Sequence, residues 1–188
     1  MQLRRYVLTR RPAWALLVVL LVTGCTAQPV TGAPRAAAFN PTDIAWIQLM
    51  IPMDERARLL TDLAPGRAGD PALARFARRA ADRQRDELTR LRELLARSGA
   101  PDTRPHEGHD MPGMVSADTL RRAGALSGEE FDRVFAAALR AHLAQSLVLC
   151  GGERASGGAV EARELAGELE KDGSQELARL DAARSGKS

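Results

Sequence analysis

The sequence has few of the residues that build sheets, disulfide frameworks or nucleic-acid surfaces. Aromatic residues make up 4% of the 188 residues, with a single tyrosine, and there are two cysteines. β-branched residues are scarce outside the N-terminal segment, so strand signals are absent. Two cysteines cannot form a disulfide framework. No phosphate-binding loop, dinucleotide fingerprint or basic patch interleaved with aromatics is present, which argues against nucleotide and nucleic acid as partners.

The N-terminal segment has the organisation of an export signal. Its basic region contains four arginines, namely Arg4, Arg5, Arg10 and Arg11. Residues 13–22 are apolar but too few to span a bilayer comfortably. The following Val22-Thr23-Gly24-Cys25 resembles a bacterial lipobox, which implies cleavage after Gly24 and a lipid on Cys25. A plain signal peptide with a chance cysteine is the alternative, and both general and twin-arginine export stay open.

Processing would leave one domain on a flexible tether. Residues 25–38 are rich in proline, glycine, threonine and alanine and cannot bury enough surface to fold. The net charge of +3 includes four positive charges in the signal, so the mature chain is close to −1. About 150 residues then remain, enough for one domain with its own core. We therefore predict an extracytoplasmic protein, lipid-anchored to the bacterial cell membrane.

Caps and apolar stripes predict an all-α domain over residues 39–183. The first helix begins at Asn40-Pro41-Thr42-Asp43, has Pro52 as an expected kink, and ends at Pro65-Gly66. The second begins at Asp70-Pro71 and ends at Ser98-Gly99. A short helix follows Ser116 and extends to about Ala123. A capping box over residues 127–130 opens the third long helix, which Gly151-Gly152 is expected to stop, and the last helix follows Gly157-Gly158.

The two halves of this domain repeat with an offset of about 89 residues. Glu87 then matches Glu176, and Leu91 matches Leu180. Two antiparallel hairpins, over residues 41–97 and 116–183, pack naturally as a four-helix bundle, with a connecting loop over residues 99–115. The repeat therefore predicts a bundle of two related hairpins, with the short helix in the central connection.

The connecting loop carries a cluster of soft metal ligands. His106, His109, Met111 and Met114 lie within nine residues, among prolines and glycines that forbid a regular helix. Imidazole suits copper, zinc and iron, and thioether selects Cu(I). If the loop binds metal, we expect weak Cu(I) binding through Met111, Met114 and His109, with His106 assisting. A solvated linker without a role is the alternative.

A second group of candidate ligands lies on the core faces of the four long helices. These residues are Met53, Asp54, Glu87, His142 and Glu176. A carboxylate on a core face is costly unless it is paired or binds metal, and di-metal bundles use inward carboxylates and histidines of this kind. The alternative is that arginines such as Arg56, Arg83 or Arg140 pair with the acids and that His142 is a satisfied core histidine.

Several motifs of the folded region resemble the domain-of-unknown-function 305 family over residues 39–182. They are Phe39-Asn-Pro-Thr-Asp43, Met50-Ile51-Pro52, Gln84-x-x-Glu87-Leu88, Gly108-His-Asp-Met-Pro-Gly-Met-Val-Ser116 and Glu130-Phe131-Asp132-Arg133-Val-Phe135. The resemblance implies a ferritin-like fold, a secreted or lipid-anchored protein, and metal handling, particularly of copper. It also implies a pair of histidines in the first helix of each repeat.

The chain departs from that family pattern where the histidine pairs are expected. Met53-Asp54 stands in place of the first pair, and Ala141-His142 in place of the second. An acid-methionine pair that the resemblance implies further along is replaced by Leu59-Leu60 and by Leu147-Val148. We therefore expect a divergent member with a degenerate bundle site.

Two functional classes follow from the sequence. The first is a metal-binding module of copper type, and the second is a structural or interaction scaffold at the cell envelope without a metal. An enzyme is not expected, because Ser127 and Ser146 have no base at helical spacing and the interior ligands are too few for a di-iron centre. Cys150 is expected to be a buried small hydrophobe rather than a reactive thiol.

Overall fold

The structure is a computed structural model that describes residues 38–185. The predicted signal segment, Cys25 and residues 25–37 of the predicted tether lie outside the described residues. The helices are α1 (Pro41–Leu63), α2 (Pro71–Ser98), α3 (Ala117–Ala125), α4 (Gly128–Ser156) and α5 (Val160–Ser185), and a 3₁₀ turn (Ala64–Gly66) follows α1. Within the described residues, strand-type pairing is limited to one bridge between Ala68 and Gly128.

Short polar caps set most of the helix boundaries. The Asn40 side chain accepts the N–H groups of Thr42 and Asp43, and the Asp43 side chain accepts the N–H of Asn40, so the predicted cap of α1 is a complete capping box. Ser116 likewise caps α3 through the N–H of Thr119. The α2 helix ends at Gly99, whose φ of 72° is left-handed and favours glycine.

Helix α4 begins after Ser127 as predicted, but its C-terminal boundary and its N-terminal cap differ from the prediction. Gly151-Gly152 does not stop the helix, which continues to Ser156. Each glycine costs roughly 1 kcal/mol in a helix interior, and the burial of Cys150 and Glu153 on either side supplies tertiary contacts that override this preference. At the other end, the Ser127 side chain makes no capping hydrogen bond. The N–H of Gly128 instead donates to Arg67 O at 2.8 Å.

The four long helices form an all-α, ferritin-like four-helix bundle of two hairpins, as predicted. The α1–α2 and α4–α5 hairpins each pack antiparallel, and they meet through the α1–α4 and α2–α5 contacts. The short α3 helix lies in the central connection and packs on α1 and α4. Helix α4 is long and apolar enough to cross a membrane by composition alone. Its residues Phe131, Phe135 and Leu139 lie in the bundle core, and 33% of its most apolar stretch is buried.

The core consists of two apolar clusters with polar residues between them. One cluster surrounds Phe131 and Phe135, whose rings stack 5.6 Å apart, and the other surrounds Trp46 and Leu91. The intervening level is the mid-bundle polar layer, which comprises Asp54, Arg83, Gln84, Glu87, His142 and Glu176. A buried polar layer is costly unless its members pair, so its arrangement is the main clue to function.

An aspartate near the start of α1 binds the turn of the other hairpin. The Asp43 carboxylate accepts the N–H groups of Gly158 and Ala159, each at 3.2 Å. Asn40 adds a hydrogen bond from its side-chain amide to Ser156 O at 2.9 Å. These contacts, which we call the Asp43 clasp, fasten the first turn of α1 to the α4–α5 turn.

The second hairpin makes the equivalent contact in return. The Asp132 carboxylate accepts the N–H groups of Gly69 and Asp70 at 3.1 and 3.0 Å. We call this the Asp132 clasp. A Cβ at Gly69 would lie 2.8 Å from Gly128 Cα, so this turn needs glycine for its close approach to α4. The Asp132 clasp is related to the Asp43 clasp by the offset of 89 residues. Asp132 is equivalent to Asp43, and Gly69 and Asp70 are equivalent to Gly158 and Ala159, which supports the predicted repeat.

Candidate metal centre

Asp54 of α1 and His142 of α4 meet in the mid-bundle polar layer. His142 Nε2 lies 3.4 Å from Asp54 Oδ1, and the residues are 1% and 2% exposed. Both were predicted to point inward, although Asp54 was expected at the edge of its stripe rather than fully buried. Asp54 Oδ2 and His142 Nδ1 have no hydrogen-bond partner among the described residues. Buried polar atoms without protein partners are uncommon, and a bound ion or water is one of the usual reasons for them.

A small cavity adjoins this pair. Its volume is about 20 Å³, which is room for a single water molecule or ion. Asp54 and His142 line it together with Met50 and Ser146, which come from the same two helices. Met50 precedes Asp54 by four residues and Ser146 follows His142 by four, so each lies one turn away on the same helix face. The cavity therefore offers a carboxylate, an imidazole, a thioether and a hydroxyl.

The other two acids of the layer share one arginine. Arg83 Nε lies 3.0 Å from Glu87 Oε1, and its Nη2 pairs with Glu176 Oε2. The predicted alternative, in which an arginine pairs with these acids, is therefore the arrangement seen, with Arg83 as the partner. Glu176 is 2% exposed, and Glu87 is mostly buried. Arg83 and Glu87 also line the cavity, so the two halves of the polar layer are contiguous.

The electrostatics of the layer are unfavourable to a further negative charge. Burial raises the pKa of Glu87 to about 8, and the charge of nearby Asp54 acts in the same direction, while Arg83 opposes both. Glu87 therefore carries a proton around neutral pH. A cation in the adjacent cavity would favour its ionised form, because opposite charges within a few ångströms attract strongly in a buried site.

The four long helices thus bring most of the predicted interior residues together. Two of them do not line the cavity: Met53, which is fully buried elsewhere in the core, and Glu176, which joins the layer through Arg83. Met50 and Ser146 were not predicted as site residues, although their spacing from Asp54 and His142 is visible in the sequence. Within residues 38–185, no three histidine, cysteine, aspartate or glutamate side chains are grouped closely enough to hold a metal ion by themselves.

The predicted loop ligands are spread over different environments. Met114 is buried in the bundle, His106 and Met111 are half-buried, and His109 is exposed. The loop is irregular, as expected, with turns closed by His109 N–His106 O and Met114 N–Met111 O hydrogen bonds. The four side chains therefore do not share one exposed surface, and metal binding by the loop stays a prediction.

Ion pairs hold the connecting loop along α1. The C-terminal end of the loop packs on α4 close to the Asp54–His142 pair. Arg104 pairs with Glu55 at 2.6 Å, and Asp110 with Arg56 at 3.2 Å. A Cβ at Gly113 would lie 2.2 Å from Gln145 Cβ, so only glycine fits this contact with α4. Gln145 is three residues from His142, so the loop covers α4 at the level of the polar layer.

Cys150 lies one turn beyond Ser146 on α4. Its thiol is buried, and burial, followed by the charges of Asp54 and Glu87, raises its pKa to about 12. A thiol is reactive as its thiolate, so Cys150 behaves as the small buried hydrophobe that the sequence predicts.

A second pair of buried acids occupies the end of the bundle at the Asp43 clasp. The Glu153 carboxyl lies close enough to Asp43 to donate a hydrogen bond to it when it carries a proton. Burial raises the pKa of Glu153 to about 8, with the hydrogen bond to Asp43 and its charge adding to the effect and Arg163 opposing it. Burial alone would raise the pKa of Asp43, but hydrogen bonds from Glu153 and three backbone N–H groups hold it below its usual value. The two carboxyl groups therefore share one proton. The sequence did not predict that Asp43 and Glu153 would pair.

Comparison with known proteins places the chain among helical bundles of the same kind. The profile of the family described as "Domain of unknown function (DUF305)" matches residues 43–184. The chain belongs to the DUF305 family. No curated protein is similar to this DUF305 protein in sequence.

Two solved structures share the fold of this DUF305 protein. A protein from Streptomyces coelicolor, named as a secreted DUF305 protein, aligns with a TM-score of 0.66 and 17% identity, over 74% of this chain and 88% of its own. CopM in its Cu(II)-bound form aligns with a TM-score of 0.66 and 20% identity, over 78% of this chain and 97% of its own. At these identities the likeness establishes the shared bundle.

Proposed function

We propose that this DUF305 protein binds a single copper ion in the mid-bundle polar layer and acts as a binding module rather than an enzyme. One observation carries the proposal. Asp54 Oδ2 and His142 Nδ1 are buried, lack hydrogen-bond partners among the described residues, and belong to residues that line a cavity large enough for one ion. A bound cation would satisfy polar atoms that otherwise raise the free energy of the folded state.

The available donor atoms favour copper over hard divalent ions. His142 supplies an imidazole nitrogen, Met50 a thioether sulfur and Asp54 a carboxylate. Thioether is a soft ligand that selects Cu(I), whereas magnesium, calcium and manganese prefer several oxygens. The relative CopM is known in a Cu(II)-bound form, which supports copper as the ion to test first.

The connecting loop would assist by presenting ligands outside the cavity. His109 is exposed, Met111 is half-buried, and Gly113 packs on α4 close to His142. We propose that these loop residues bind an incoming ion weakly before it reaches the interior pair. Ordering such a loop costs roughly 1–2 kcal/mol for each residue fixed, so the loop alone would bind with modest affinity.

We place this function outside the cytoplasm, at a lipid-anchored position set by Cys25. The support is the signal-like sequence over residues 1–25 and the naming of the Streptomyces coelicolor relative as a secreted protein. Fractionation of cells that express the wild type or Cys25→Ser tests this location. Membrane retention of a normally processed Cys25→Ser protein would contradict the anchor.

Copper competition titrations test the proposed site. The wild type is titrated with Cu(I) and Cu(II) against a chelator, beside His142→Gln and the loop variant His109→Ala/Met111→Ala. We expect one ion per wild-type chain. His142→Gln should lose tenfold or more in affinity, since an imidazole is removed from a buried site, while the loop variant should lose less. Helix content and unfolding midpoint are measured for each variant as the folding control.

A metal-free scaffold is the second candidate function. It is favoured by Arg83, whose guanidinium pairs with two acids that a bundle of this type could otherwise use for metal. Wild-type protein that binds no copper at micromolar concentration would support the scaffold. Equal copper affinity in the wild type and His142→Gln would remove the interior pair from the site.

A further inference from the structure

Arg83 joins two acids that the repeat makes equivalent. Glu87 and Glu176 lie 89 residues apart, at matching places on α2 and α5. The same offset carries Arg83 onto Asp172, which is exposed and of opposite charge. One cation from one hairpin therefore serves both equivalent carboxyl groups, where a symmetric bundle would have placed either two cations or none.

We propose that Arg83 is a resident cation that determines ion specificity by occupying the carboxylate half of the polar layer. With both glutamates engaged by its guanidinium, the cavity keeps His142, Met50 and Asp54 for one soft ion. A hard divalent ion, which needs several carboxylate oxygens, is excluded. The selection of a soft ion rests on the proposed function, because it assumes that His142, Met50 and Asp54 bind copper. The exclusion of hard divalent ions by Arg83 does not need that assumption.

Removal of Arg83 would free the Glu87 and Glu176 carboxylates that its guanidinium now pairs with, and Glu87 itself lines the cavity. Arg83 lines the same cavity as Asp54 and His142, whose unpartnered atoms are more than nine-tenths buried. Without the guanidinium, Asp54, Glu87, His142 and Glu176 would supply one titratable side chain from each long helix. Inward carboxylates and histidines from four helices are the ligand type of di-metal bundles, and their negative charge would have no counter-ion within the layer.

Replacement of Arg83 by methionine is the direct test, because methionine keeps much of the apolar stem and removes the charge. Mn²⁺ serves as the probe, since it prefers oxygen and imidazole ligands. We expect Arg83→Met to bind Mn²⁺ on the order of a hundredfold more tightly than the wild type, from the loss of a like charge near the ion at an intermediate dielectric. Its unfolding midpoint should also rise with added Mn²⁺, while that of the wild type stays constant.

Matched variants make the result specific to the carboxylates. Arg83→Lys keeps the positive charge and should remain as indifferent to Mn²⁺ as the wild type. Arg83→Met/Glu87→Gln/Glu176→Gln removes the charge and both carboxylates, and it should fold without responding to Mn²⁺. If Arg83→Met is unfolded on its own, refolding on addition of Mn²⁺ but not of Na⁺ supports the proposal.

Two results would overturn the proposal. One is a folded Arg83→Met protein that binds Mn²⁺ no better than the wild type. The other is a triple variant that binds Mn²⁺ as well as Arg83→Met does. Neither result depends on copper. A wild type that binds no copper would contradict the proposed function, but the exclusion of hard divalent ions by Arg83 would still be tested by Mn²⁺ alone.

Discussion

The two hairpins of the bundle agree at their ends and differ in their middle. At the ends, Asp43 and Asp132 each bind two backbone N–H groups in the turn of the opposite hairpin, at positions 89 residues apart. In the middle, the same offset pairs Arg83 with Asp172. The contacts that join the hairpins are therefore present in both copies, whereas the side chains between them are arranged asymmetrically.

A second difference between the hairpins is that α4 extends further than α1 at its C-terminal end. The offset aligns Gly152 with Leu63, the last residue of α1, but α4 continues to Ser156. Glu153 lies in this extra turn and reaches Asp43, whereas the first hairpin has the buried Ala64 at the equivalent position. One clasp therefore contains a second acid and the other does not. The two clasps form a natural pair for experiments, since each serves as the control for the other.

The largest effect is expected from loss of either clasp. Asp43→Ala removes the acceptor of two turn N–H groups and breaks the capping box with Asn40, so we expect a loss of about 3 kcal/mol or more in the free energy of unfolding. Asp132→Ala should cost about 2 kcal/mol for the same reason without the capping box. Urea denaturation of both variants measures the difference. Asp172→Asn, on the exposed face, should stay within about 0.5 kcal/mol of the wild type.

Equal retention of stability in both aspartate variants would mean that the clasps do not hold the hairpins together. A large loss in Asp43→Ala with none in Asp132→Ala would show instead that the apparent symmetry of the ends is structural but not energetic.

The next effect is a pH dependence that belongs to the Asp43 clasp through Glu153. The folded state raises the pKa of Glu153 to about 8, so the folded chain keeps a proton that the unfolded chain loses above about 4.5. This contribution to stability is complete below pH 4.5 and is lost as pH rises through about 8. Its slope reaches at most about 1.4 kcal/mol per pH unit. Glutamine at position 153 keeps the donor and does not ionise.

Thermal unfolding of the wild type and Glu153→Gln between pH 5 and 9 checks this prediction, with that range taken from the pKa of about 8. The wild type should lose stability faster with rising pH than the variant. Glu87 is raised to about 8 as well, so Glu87→Gln is measured in parallel to separate its share. Parallel curves for the wild type and Glu153→Gln would show that Glu153 does not retain its proton.

The smallest effect concerns the glycines that α4 tolerates. A Cβ at Gly151 or Gly152 would meet no atom within 4 Å, so each Gly→Ala change should stabilise the fold by roughly 0.5–1 kcal/mol through helix propensity. Gly113→Ala should act in the opposite direction, because of its φ of 76° and its close approach to Gln145. Chemical denaturation distinguishes the two signs. Destabilisation by Gly151→Ala would indicate that the extra turn of α4 needs its glycines.

Local sequence signals predicted most of the fold. Asn40, Asp70 and Ser116 act as the expected caps, and the apolar stripes place His142 and Glu176 inside. The main error in the fold prediction was the end of the third long helix. Gly151-Gly152 looked like a helix end because glycine disfavours helices, but contacts from other helices decide the boundary there.

The site was predictable in its members but not in its pairings. Helical periodicity places Asp54, Glu87 and His142 on inward faces, yet it cannot say which atoms meet, because pairing depends on the rotation and height of each helix in the bundle. Arg83 was one of three candidate arginines for this reason. Asp43 and Glu153 were missed as a pair because 110 residues separate them, and the signal that could have found Asp43 is its match to Asp132 in the repeat.

The Asp43 clasp also determines how the domain would carry a mechanical load. At the N-terminal end of the described residues, Phe39 packs on the apolar cluster around Trp46 and Leu91. The hydrogen bonds of Asn40 with Ser156 and of Asp43 with the α4–α5 turn follow directly along the chain. Asp54 lies eleven residues further along α1, or about 16 Å at helical rise. Tension on the N-terminal segment would therefore be transferred to α4 and α5 at the edge of the bundle. The polar layer would keep its geometry until the hydrogen bonds of the Asp43 clasp break.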